Sequence, residues 1–264
     1  MKPIQRITSL LLFAVGAMVL AQEEDTAPTF SLERNDKLIV MSKRGPDDSG
    51  LALFCNPDET TRGIFFDPSE ASVLTTIDDN QIKAPLAVMD KKEGGDGHLE
   101  MSGGAASLEE EDDFGCPKLT PKAEAGAIKV TKGKTLLSGS KLVYDEKDGQ
   151  AKVEGPITFE REQKDGKLTG SSQTLVVDVD KNTTVMKGSV KLNSGDRVSS
   201  AEEVEYSEKD NVAILRGTAQ NPAKSTKGKE ELTAEVIRYN LETNDVVATT
   251  ANNSIKGKFE DEDK

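Results

Sequence analysis

Tryptophan is absent from the 264 residues, and Phe and Tyr together bring the aromatic share to only 4%. With apolar residues at 35%, a thick core built on large rings is excluded, and a thin or elongated β architecture suits the composition better. Histidine occurs once, at His98, and the two cysteines stand far apart, so no zinc signature can be written. No Gly-x-Ser-x-Gly, P-loop or His-Glu-x-x-His pattern appears. Positive charge is also short: Lys and Arg total 34 against 47 Asp and Glu, a formal net charge of −13. Such a chain repels nucleic acid and anionic membrane surfaces. Neither an enzyme nor a nucleic-acid binder is expected, and no cofactor or metal.

One apolar run is present, and its place is informative. Lys2 and Arg6 precede a mostly apolar stretch from Ile7 to Leu20, and Val19-Leu-Ala21 puts small residues before Gln22. This reads as a signal peptide over 1–21, cleaved after Ala21, because the run is too short to span a bilayer comfortably. Its loss removes Lys2 and Arg6 and makes the charge −15. In an exported chain an even pair of thiols is expected to be bonded, so Cys55 and Cys116 are assigned as a disulfide.

Internal repetition is the strongest signal. Four stretches open with an apolar residue and small polar neighbours, then reach an aromatic or Val: Leu137 to Tyr144, Leu168 to Val177, Val198 to Tyr206 and Leu232 to Tyr239. The openings are 31, 30 and 34 residues apart. Each stretch runs into an Asp, Asn or Gly turn and then a second apolar stretch. Alternation near period two makes these strands, and the turns make them hairpins. Gly155, Gly188 and Gly217 recur in the second strand, where a lone Gly marks a bulge, a corner or a close backbone approach. A sheet folded on itself is therefore expected. A degenerate copy runs from Ile82 through the Gly94–Gly97 turn, and a weaker one covers Leu38–Val40 and Leu51–Phe54. The division expected is N-terminal repeats over 22–104, an acidic linker or insertion over 105–127 with the one subdomain boundary, clean repeats over 128–257, and a charged tail over 258–264.

These repeats, with their apolar-Thr/Ser-Ala/Gly…Val-x-Tyr, turn and Val…Gly-x-Val grammar, resemble the OstA-like domain family of periplasmic lipopolysaccharide-transport bridge proteins. The resemblance covers Val73 to Gly257 and is best over Leu136 to Ala248. It implies an elongated all-β jellyroll with a V-shaped apolar groove. It also implies a periplasmic location, an amphiphilic lipid ligand (lipopolysaccharide or a related glycolipid), and strand-edge pairing with inner- and outer-membrane transport or envelope proteins or with further copies, head to tail. The length, the Cys pair and the acidic insertion depart from the small bridge protein.

The alternation nominates Leu142, Tyr144, Val153, Ile157, Phe159, Leu175, Val177, Val190, Leu192, Val204, Tyr206, Val212, Ile214, Ile237 and Tyr239 as one apolar face. A closed core would show the same pattern, and a structural envelope protein that carries no lipid would share it. The resemblance favours a groove. His98 beside Asp96 is expected to be a polar turn residue, and the Glu109–Asp113 run a solvated one, because it lacks the spaced oxygens of a calcium loop.

Overall fold

The structure, a computed structural model, describes residues 28–258 except 35–36, 46–49, 58, 70–71, 78, 112–115, 164–165, 179, 182, 208, 241–242, 244 and 250–255. The leader over 1–21 and the tail beyond Lys258 lie outside the described residues. Every regular element among those described is a strand.

The N-terminal strands are β1 (Thr29–Arg34), β2 (Lys37–Lys43), β3 (Leu51–Cys55), β4 (Thr60–Phe66), β5 (Val73–Ile77), β6 (Asn80–Ala84), β7 (Leu86–Lys92) and β8 (Gly97–Ser102). A short hairpin follows, β9 (Ala105–Glu111) and β10 (Pro117–Pro121). Then come β11 (Ile128–Lys132), β12 (Thr135–Gly139), β13 (Lys141–Asp145) and four long strands, β14 (Gln150–Gln163), β15 (Gly166–Asp178), β16 (Thr183–Ser194) and β17 (Arg197–Ser207). The chain closes with β18 (Val212–Arg216), β19 (Ala223–Lys227), β20 (Glu230–Ala234), β21 (Val236–Asn240), β22 (Val246–Thr249) and β23 (Lys256–Lys258).

All strands but β9 and β10 form one antiparallel 21-stranded sheet. The pairings resolve it into two wings. One wing runs β1-β2-β5-β6-β11-β12 and continues through the far half of β14, the near half of β15, the far half of β16 and the near half of β17 to β19-β20-β23. The other runs β3-β4-β7-β8-β13 and through the remaining halves to β18-β21-β22. Each traverse of the chain is thus a rung bent at its middle, and stacked rungs make a folded sheet with a spine and two lips.

The bend has a sequence cause. The ladder slips between Glu154 and Ile157, between Ser171 and Thr174, and between Lys187 and Val190. Such bulges bend a strand and raise its twist. Gly188 sits at φ +83°, and a Cβ on Gly155 would lie 2.3 Å from the Gln173 carbonyl oxygen, so both places demand glycine. Shorter rungs bend at Pro85, Ser140 and Glu235, between paired strands of the two wings. The recurrent glycines of the sequence therefore mark the spine, as expected.

The core lies between the wings. Cross-strand pairs put Ile82 beside Val130, Leu137 beside Phe159, Leu142 beside Met101 and Val153, and Leu215 beside Val204 and Ile237. One buried cluster runs from Leu32 to Tyr239.

Two expectations are corrected. The segment 105–127 is no subdomain boundary. β6 pairs with β11 and β8 with β13 across it, so the sheet is continuous, and β9 and β10 pair as an antiparallel arm on one rung. An acidic stretch hid a β pair because antiparallel pairing uses backbone groups, whatever the side-chain charge. Second, Val212 and Ile214 do not face inward. Val204 pairs with Leu215 and Tyr206 with Ala213, so Ala213 and Leu215 line the interior while Ile214 opposes Glu205 and Arg238 outside. Val212-Ala-Ile-Leu is apolar at every position, so period two leaves its face open, and a one-residue slip exchanges the faces.

Cys55 and Cys116 are joined, with their Cα atoms 5.5 Å apart. The bridge ties the arm to the edge strand β3. Ile64 and Leu86 pair with outward residues yet are each only 2% exposed, and they stand apart from the inter-wing cluster. A second small apolar layer therefore lies outside the N-terminal rungs, with the bridge at its border.

Candidate functional site

Inward positions fall into two kinds. Some are enclosed: Leu142, Tyr144, Val153, Ile157, Val190, Ile237 and Tyr239 are all buried in the cluster. In the central rungs the wings leave a cavity of about 190 Å³. Its walls include Val130, Leu137, Phe159, Leu168 and Leu192 from one wing and Leu175, Val177, Met186, Val204, Tyr206 and Ala213 from the other. Protein interiors rarely leave a void much larger than a water molecule. An apolar space of this size forfeits dispersion contacts unless something apolar fills it.

Of the nominated residues, Phe159, Leu175, Val177, Leu192, Val204 and Tyr206 line this cavity, and seven others pack beside it. Val212 and Ile214 belong to the other face. Sequence reasoning missed Val130, Leu137, Leu168, Met186 and Ala213. Leu137 and Leu168 open two of the repeats, and that signal was available.

The cavity reaches the lips. Asp79, Asn80, Lys132, Thr135 and Arg161 stand there on one wing, and the Asp79 side chain is 66% exposed. Lys132 Nζ lies 3.8 Å from Asp79 Oδ1. The Arg161 guanidinium crosses to the other wing, donating a hydrogen bond to the Tyr206 hydroxyl with its carbon 5.5 Å from that ring's centre. Arg197 repeats the arrangement farther along, 5.8 Å over the Tyr239 ring. Its Nη1 also donates to Ser225 Oγ at 3.1 Å. Three tyrosines exist in the chain, Tyr144, Tyr206 and Tyr239, and all occupy inward lip positions of one wing.

A second recess lies on the outer face, near Thr60, Arg62, Asp90, Lys92, Asp96 and His98. Arg62 and Asp90 satisfy each other there at 2.7 and 3.0 Å. His98 stands in β8 rather than in the turn before it, with Nδ1 2.6 Å from Asp145 Oδ1. Among the described residues no group of three or more His, Cys, Asp or Glu is placed to hold a metal. Among the described residues, shifts are resolved only at the two ends of β15 and in the turn that follows it. Asp178 is held below its usual value by the Lys181 side-chain hydrogen bond, Lys181 is raised by Asp178, and Lys167 is raised by Glu160. They sit outside the cavity and give it no acid–base chemistry.

Residues 122–245 match the family model described as "LptA/(LptD N-terminal domain) LPS transport protein". No curated protein matches the chain. Among solved structures the chain is similar to LptH of Pseudomonas aeruginosa, titled the LptA homologous periplasmic component of the lipopolysaccharide transport device. The alignment covers 69% of this chain and 95% of that one, at 14% identity and a TM-score of 0.27.

Proposed function

We propose, from the match of residues 122–245 to the LptA/LptD N-terminal family model of lipopolysaccharide transport proteins, that this chain carries lipopolysaccharide or a related glycolipid through the periplasm. Acyl chains occupy the central cavity, at roughly 25 cal/mol per Å² of apolar surface covered. The polar head stays at the lips. The process is passive, and movement requires energy from partner complexes.

The observation that carries this reading is the coincidence of the apolar inter-wing cavity, about 190 Å³, with the span of the family match. Export and periplasmic location fit the leader at 1–21 and the family. The sheet ends support edge pairing. Among the described residues β1 and β3 pair on one side only at one end, and β22 and β23 do so at the other. Unpaired edges accept further strands, which suits docking to inner- and outer-membrane components or to further copies, head to tail.

The test is lipid analysis of protein purified from envelopes of the expressing cell. About one glycolipid per chain is expected by mass spectrometry, with little or none on Leu175→Asp, because a carboxylate against acyl chains is costly to desolvate. Protein that carries no lipid under gentle extraction leaves the structural envelope role in its place.

A further inference from the structure

In a chain with 47 acidic residues to 34 basic ones, a surface cation usually finds a carboxylate. Two outward arginines do so: Arg62 pairs with Asp90, and Arg216 with Glu203 and Glu205. Arg161 and Arg197 do not. Each stands inward on the same lip, continuing the alternation Ile157, Phe159, Arg161 and the register of Arg197 with Ser199 and Ala201. Among the described residues neither contacts a carboxylate. What holds them are the Tyr206 hydroxyl and ring, the Tyr239 ring and the Ser225 hydroxyl. Arg197 Nε is buried with no hydrogen-bond partner. A half-buried guanidinium keeps its charge, and withdrawing it from water without a counter-ion is costly.

We infer that Arg161, with Arg197 farther along the same lip, is a binding position for the phosphate head of an anionic amphiphile whose chains lie in the cavity. This rests on the lipid-carrying reading above and names the head-group chemistry and the residues that take it. The guanidinium fork matches two phosphate oxygens, which neither a tyrosine hydroxyl nor an aromatic face can equal. Each arginine bridges to the tyrosine of the opposite wing and holds the lips together. A phosphate arriving at the lip takes the arginine, frees the tyrosine and lets the wings part as chains move in. The two Arg–Tyr pairs occur on β14–β17 and β17–β21, so a head group moving along the lip meets the same device twice.

The experiment titrates full-length exported protein with dodecyl phosphate and with dodecyl maltoside, which share a chain and differ in the head. Wild type should prefer the phosphate. Arg161→Gln should weaken dodecyl phosphate about tenfold or more, the worth of a charged hydrogen bond, and leave dodecyl maltoside unchanged. Arg161→Lys should fall between, and Arg216→Gln, on the outer face, should match wild type. Arg197→Gln gives a second, independent reading if Arg161→Gln melts early. Equal weakening of both amphiphiles, no change with the phosphate, or no preference in wild type overturns the inference and leaves the groove reading standing. Wild type that binds neither amphiphile overturns both.

Discussion

Between β2 and β8 the inward positions carry Met41, Phe65, Met89, Leu99 and Met101, each wholly buried. Between β11 and β18 equivalent positions carry Val130, Phe159, Val177 and Tyr206, which are only partly buried and surround a cavity. The pairing scheme is the same in both regions. The difference lies in side-chain volume. Met41, Met89, Met101 and the ring of Phe65 fill the N-terminal wedge, with Phe30 partly buried against it and Phe54 46% exposed. Phe54 stacks on Phe30 at 6.0 Å and meets Phe65 edge-on at 5.5 Å. Those rings come from both wings and close that end. The cavity wall of the central rungs is mostly Val, Leu and Ala, with Phe159, Met186 and Tyr206 as its larger members. One backbone plan thus makes a closed core or a groove according to what fills it, and the scarcity of large residues is concentrated where the cavity lies.

Truncation should expose this contrast most strongly. Phe65→Ala should cost about 3–5 kcal/mol, as for a ring removed from a packed core. Val177→Ala, on the cavity wall, should cost about 1 kcal/mol or less, since little packing is lost. Denaturant midpoints measure both, and equal costs would erase the distinction between the regions.

The arm gives the next effect. The bridge closes a loop of 61 residues in sequence separation, worth about 4 kcal/mol in chain-entropy models and often less in practice. Replacing both Cys55 and Cys116 with Ser should lower stability by about 3 kcal/mol while far-UV β signal and lipid load persist. Loss of lipid binding in that variant would show that the N-terminal layer is coupled to the groove.

A smaller contrast separates the faces of β18. Leu215→Ala removes a wholly buried inward side chain and should cost about 2 kcal/mol more than Ile214→Ala, which removes a partly exposed outward one. The reverse order would restore the face nominated from sequence.

The smallest effect is electrostatic. Asp178 has its carboxyl held down by Lys181 at the β15–β16 turn. A depressed carboxylate stabilises the fold above its unfolded pKa, and that contribution is lost as pH falls through the folded value, below about 4. Asp178→Asn should therefore differ from wild type by about 1 °C or less in melting at pH 7, as exposed pairs do, and the two should converge at low pH.

The legible parts of the molecule were those where local chemistry and fold agree. Turn residues and period-two alternation placed the hairpins, and Gly155, Gly188 and Gly217 placed the spine, because each marks a backbone need that no other residue meets. The compartment and even count placed the Cys55–Cys116 bond. Val212 and Ile214 failed because an unbroken apolar run carries no phase. The arm failed because its pairing is backbone-driven. Arg161 was passed over because an arginine within an apolar alternation looks like its end, whereas here it is the next inward position.

The central claim is that the central inward face, and not the N-terminal one, holds lipid. A photo-crosslinking amino acid placed singly at Leu175, Met89 and Thr174, then irradiated in living cells, tests it most directly. A glycolipid adduct is expected at Leu175 and none at wholly buried Met89 or outward Thr174. No adduct at Leu175, or an equal one at Thr174, would contradict it.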